Sequence, residues 1–164
     1  MFSIYRRKGN YSSNDKIPQT PHALLRGNPK LEAGDIISIE LRPIGYVRTD
    51  AKEVPRHWRM SDVEGELVIN EEYKEGMKDI KPGERIVVIF HFHKSPEYKP
   101  SFLRQTPPHK DREYGVFSIC SPMRPNPIGL SIVEVLEVKD KIIYVKGLDM
   151  LDGTPILDIK PDVR

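Results

Sequence analysis

From Gly34 onward the apolar residues gather into short runs, and the spacing of those runs predicts strands. Ile37, Ile39 and Leu41 alternate with Ser38, Glu40 and Arg42, a period of two that reads as a strand, punctuated by Pro43 and Gly45 and continued by Tyr46-Val47-Arg48. Glu66–Asn70, Arg85–His93, Gly115–Ser121, Ser131–Val138 and Lys141–Lys146 follow as further strands, with Lys139-Asp140 as a two-residue hairpin turn. Ile156, Leu157 and Ile159 lead back to sheet after a tight turn at Asp152-Gly153. The one helix candidate, Glu71–Ile80, is weakened by Gly76 and stopped by Pro82-Gly83. Ser95–Arg112 carries four prolines and is expected to be a long loop. So many strands with so little helix predict a mainly β fold, a small single β-barrel with one short helix and long loops, because closure removes exposed sheet edges.

Residues 1–33 break this pattern. They show no apolar periodicity and carry Asn10, Ser12, Ser13, Asn14, Pro18 and Pro21, so they read as a poorly ordered or accessory arm before a domain at 34–164. The length of 164 residues suits that division. The longest apolar run, Ile86–Phe90, is far too short to span a membrane. Charge precedes any apolar stretch at the N-terminus, and the single cysteine, Cys120, excludes an internal disulfide. A cytoplasmic setting is therefore expected. The net charge of +2 says little. Its distribution says more: residues 1–30 hold six Lys or Arg against one acid, and residues 91–112 hold five with three histidines against two acids. Both zones are candidates to meet a polyanion, or to be solvated surface.

Three constellations carry candidate chemistry. His91-Phe92-His93-Lys94 closes an apolar strand, and on a continuing strand His91 and His93 share a face. A metal would need further ligands, and His22, His57 and His109 lie in segments without ligand spacing, so a strand end reaching a polar pocket is favoured and no metal is expected. Arg124-Pro125-Asn126-Pro127-Ile128-Gly129 is stiffened by two prolines and holds a guanidinium, a planar fork suited to carboxylate or phosphate. The segment Asp149–Pro161 places Asp149, Asp152 and Asp158 within ten residues, either as a cation or general-base site or as turn and cap acids.

These segments resemble a known family. Pro43–Thr49, Phe92-His93-Lys94, Gly115-Val116-Phe117 with Ser121-Pro122, Arg124–Ser131 and Leu148–Pro161 stand in the order found in the TsaA-like (TrmO-type) proteins, single-barrel S-adenosylmethionine-dependent methyltransferases that modify tRNA. The resemblance covers about Leu41 to Pro161, and its two longest strings are specific. It implies a homodimer that binds S-adenosyl-L-methionine and methylates the exocyclic amine of threonylcarbamoyl-adenosine beside the tRNA anticodon. Carried over by position, the cofactor contacts fall on Pro55, Arg56, His57, His93, Lys94, Arg124, Met150, Leu151, Asp152 and Gly153. Arg124, Arg56 or Lys94 would hold the cofactor carboxylate, Asp152 or carbonyls near Gly153 would face its cationic groups, and His93 or Asp152 is the candidate base.

The sequence also departs from the family. Cys120 stands where many members carry an arginine, Met123 replaces a residue that is often polar, and Asp162 replaces a tyrosine. No counterpart of the C-terminal extension of long members follows, leaving the basic N-terminal arm as a candidate phosphate contact. A methyltransferase of this barrel type with a small-molecule acceptor, and a non-catalytic barrel that binds S-adenosylmethionine or RNA, are the alternatives; a metal-dependent hydrolase built on His91 and His93 is the remaining one.

Overall fold

The computed structural model describes residues 39–163. Six strands form a closed antiparallel barrel: β1 (Gly45–Arg48), β2 (Glu64–Ile69), β3 (Arg85–His91), β6 (Ile128–Lys139), β7 (Ile142–Lys146) and β8 (Pro155–Pro161), in the order β1-β2-β7-β6-β3-β8. Two short strands, β4 (Arg104–Gln105) and β5 (Tyr114–Gly115), pair with each other outside the ring. The strands exist because their sequences alternate. Val47, Leu67, Ile69, Ile86, Val88, Phe90, Val133, Val135, Ile143, Val145 and Ile156 all point inward and are buried, and Leu148 and Met150 from the β7–β8 connection add to the same core.

Four sequence expectations need correction. Ile39 and Leu41 are exposed at 78% and 54% and belong to no strand; Ile37 and Ser38 lie outside the described residues. Alternation alone makes no strand where no partner strand is present to complete the ladder. Gly115–Ser121 is a strand only at Gly115, after which Val116–Ser118 makes a 3₁₀ turn that turns Phe117 into solvent, 79% exposed. The helix is a 3₁₀ helix over Glu71–Met77, with Gly76 in its last turn, and the described residues contain no α-helix. Residues 95–112 are more ordered than a loop, holding the 3₁₀ helix Pro100–Leu103 and β4.

Register places the chemistry. Strands β1, β3 and β7 end, and β2, β6 and β8 begin, at one end of the barrel, where the connections 49–63, 92–127 and 147–154 all emerge. The other end carries the Asn70–Glu84 connection and the β6–β7 hairpin, with Asp140 at a φ of 54°.

Candidate active site

Every residue carried over as a cofactor contact lies in the three long connections at that one end. The strand β3 stops at His91, and the His93 amide donates to the His91 carbonyl at 2.8 Å, so the chain turns sharply. The expectation that His91 and His93 share one strand face therefore fails, and with it the geometry behind a paired-imidazole metal site. The turn is pinned from two sides. Phe92 N–H donates to the Pro127 carbonyl at 2.7 Å, and the Ser95 hydroxyl donates to the Pro122 carbonyl at 2.8 Å. These bonds bracket Arg124 and lay its segment beside His93 and Lys94. Gln105 reinforces it, its amide donating to the Met123 carbonyl at 2.7 Å while the Ser121 hydroxyl donates to the Gln105 carbonyl oxygen at 2.6 Å. Arg124 is half-buried, and no described residue pairs with its guanidinium.

The β7–β8 connection supplies the opposite wall. Gly153, at a φ of 74°, closes a tight turn and donates to the Val47 carbonyl at 2.8 Å, a conformation a side chain would strain. Asp152 Oδ1 accepts from the Thr49 amide at 3.0 Å and is near enough to act on His93. Burial lowers the His93 pKa below its ordinary 6.5, Lys94 and His91 lower it further, and Asp152 opposes them. Burial thus favours the neutral form of this half-buried imidazole at the mouth of the barrel, the form a proton acceptor requires. Met150 departs from expectation: its side chain is part of the core, 1% exposed, so only its backbone is available to a ligand.

Pro55, Arg56 and His57 stand at the same end but engage a different neighbour. His57 Nδ1 accepts from the Arg59 amide at 3.1 Å, capping the 3₁₀ turn Trp58–Met60, and the ring lies near the Asp149 carboxylate. Asp149 is the site residue whose role the sequence concealed. Its carboxylate accepts from the Ser131 hydroxyl and from the Trp58 backbone amide, tying β6 and the 49–63 connection to the β7–β8 loop. Burial raises its pKa above 3.8 against the pull of those bonds. A signal existed: Ser131 is a polar residue at a fully buried position of a strand whose other buried residues carry no polar side chain, which demands a partner.

Comparison with known proteins decides the family. The family described as tRNA-methyltransferase O N-terminal domain matches residues 46–164. The chain belongs to this family. An S-adenosyl-L-methionine-binding protein of Archaeoglobus fulgidus is 43% identical over 123 residues, 73% of this chain and 86% of that protein. A mouse tRNA (adenine(37)-N6)-methyltransferase is 34% identical over 143 residues, 81% of this chain and 32% of its own length. The crystal structure of TrmO from Pseudomonas aeruginosa superposes with a TM-score of 0.63 at 28% identity, covering 79% of this chain and 58% of that one. The chain thus spans about a third of the mouse protein, and likewise 34% of a second Archaeoglobus fulgidus relative. No helix among the described residues is long and apolar enough to cross a membrane.

Proposed function

We propose that the chain is an S-adenosyl-L-methionine-dependent methyltransferase domain acting on N6 of adenosine 37 in cytoplasmic tRNA, with threonylcarbamoyl-adenosine as the acceptor nucleoside. The observation that carries this reading is the convergence, at one barrel mouth, of a half-buried guanidinium without a partner among the described residues, a half-buried imidazole and the Asp152 carboxylate that acts on it. The relatives named for the same cofactor and the same base support it.

The residues present fit the cofactor. Arg124 is a cation lacking an anion among the described residues, Lys94 and Arg56 are exposed cations in the connections at the same end of the barrel, and Asp152 offers the complementary charge. When bound, the cofactor supplies a methyl group on sulfonium sulfur, which a nitrogen lone pair displaces in line as the carbon–sulfur electron pair returns to sulfur. Arg124, with Lys94 or Arg56, grips the carboxylate, and Asp152 with the carbonyls beside Gly153 faces the cationic groups. His93 accepts the proton that N6 gives up, with Asp152 oriented by the Thr49 amide to stabilise the resulting imidazolium. Positioning supplies most of the rate, and the cross-bonded loops provide it.

Two further parts belong to the proposal. Residues 34–164 form the methyl-transfer domain, with residues 1–33 a basic accessory segment. Pairing of two copies is the other part; Ile128 and Leu130 on β6, and Phe117, are apolar and exposed.

Labelled cofactor incubated with unmodified and with threonylcarbamoylated tRNA tests the reading. Label on N6 of adenosine 37, greater with the modified tRNA, supports it. Label entering small molecules and no tRNA overturns the acceptor, and cofactor binding without any transfer overturns the enzyme.

A further inference from the structure

Beside the mouth, on the outer wall of the barrel, lies an open groove of about 640 Å³ that the site above does not use. Its floor is a row of paired positions across three strands, Arg85 on β3, Glu134 on β6 and Lys146 on β7. Its upper wall is Trp58, the one tryptophan of the chain. The Arg59 guanidinium lies 5.2 Å from the indole centroid and that of Arg85 5.5 Å. Asp162 completes the groove, its carboxylate 3.5 Å from Arg85 Nε.

We propose that this groove holds one nucleotide of the RNA substrate next to the methylated base, its base stacked on Trp58 and its phosphodiester between Arg59 and Arg85. The inference rests on the tRNA reading above and deepens it. Three features select this ligand. An indole flanked by guanidiniums is a platform for a π-face with an adjacent anion. Arg59 is exposed and has no carboxylate partner among the described residues, so a base can displace it from the ring and the freed cation then meets the phosphate. Arginines 59 and 85 and Lys146 outnumber Glu134 and Asp162 by one charge, which matches the single negative charge of a diester.

Position supports the same conclusion. Trp58 directly follows His57, and its amide holds Asp149, the residue before Met150. The groove therefore begins where the candidate cofactor contacts stop, within reach of a neighbouring nucleotide. Because Trp58 is the sole tryptophan, its emission reports on this groove once the cofactor site beside His57 is saturated.

The experiment is fluorescence titration of the full chain with an anticodon stem-loop RNA containing adenosine 37, in the presence of S-adenosylhomocysteine. Saturable quenching of Trp58 is expected. Arg59→Ala and Arg85→Ala should each weaken RNA binding about tenfold, irrespective of flanking sequence, and reduce the salt slope of log Kd by about one. Calorimetric affinity for S-adenosylhomocysteine should stay at the wild-type value in both, which shows that they fold. RNA that binds both variants as tightly as wild type, with Trp58 emission unmoved, overturns the groove and leaves the methyltransferase reading standing. RNA that fails to bind a protein still competent for cofactor overturns the tRNA reading, and the groove with it.

Discussion

At the end of the barrel where β2 leaves and β7 begins, a seven-residue 3₁₀ helix and a hairpin turn carry Glu71, Lys74, Glu75, Lys78, Asp140 and Lys141, paired with one another in open solvent. Lys74 shifts the Asp140 carboxyl down and is itself shifted up, although Asp140 is exposed and Lys74 only half-buried. At the opposite end polar groups tie distant segments together: Ser95 to the Pro122 carbonyl, the Thr49 amide to Asp152, and Ser131 to Asp149 side chain to side chain. Titration there is perturbed first by burial. The same strands feed both ends, so the contrast comes from the connections. The Asn70–Glu84 connection and the β6–β7 turn leave charges in water, where they cancel one another at little gain. The connections at the mouth bury polar atoms that must be satisfied, and the groups held in place that way are the ones that can grip a ligand.

The sharpest way to break this contrast is Arg124→Ala. A half-buried cation meeting a carboxylate should contribute roughly 2–4 kcal/mol, so calorimetry should show S-adenosylmethionine binding at least thirtyfold weaker with the melting temperature little changed. Unaltered affinity removes Arg124 from the site. Next comes Gly129→Ala. An added Cβ would collide with the ring of Phe90, which the core holds in place, so a loss of about 1–3 kcal/mol in urea unfolding is expected.

A third test uses pH. A base acts deprotonated, and the His93 pKa lies below 6.5, so the rate should hold as pH falls to that value and drop only at a lower pH, about tenfold per unit. In His93→Gln that acid limb should disappear along with most of the rate; a limb that persists assigns the proton to Asp152. The smallest effect is expected at the far end. Lys74→Ala breaks the Lys74–Asp140 pair and should leave both melting temperature and cofactor affinity at wild-type values. A change in affinity there would mean that the two ends are coupled.

How much of this was legible differs between strands and site. The walls β3, β6 and β7 were read from the sequence because most of their inward positions are Ile, Val and Phe in alternation, a pattern the barrel interior itself imposes. Residues 115–121 misled because Val116, Phe117 and Ile119 look like a strand, although only Val116 is buried. Of the site, the Arg-Pro-Asn-Pro and Asp-Gly strings were visible, since proline and glycine write backbone geometry into the chain. The Ser131–Asp149–Trp58 junction was not, because its three members come from distant segments and only their pairing distinguishes them. Met150 shows the converse: its string was legible, but which way its side chain points was decided by the core.

The ring is closed by its thinnest seam. The strands β1 and β8 pair at only Gly45–Ile156 and Tyr46–Pro155, joining the segments most distant along the barrel chain. The Thr49–Asp152 bond crosses from the end of β1 to the loop that enters β8, beside the same seam. Closure is therefore expected late in folding, after the local hairpin β6–β7, and local opening is expected first at this seam. A ligand gripping Asp152 acts as a rivet on that seam, and amide exchange at residues 45–48 should slow on ligand binding more than exchange in β6 or β7.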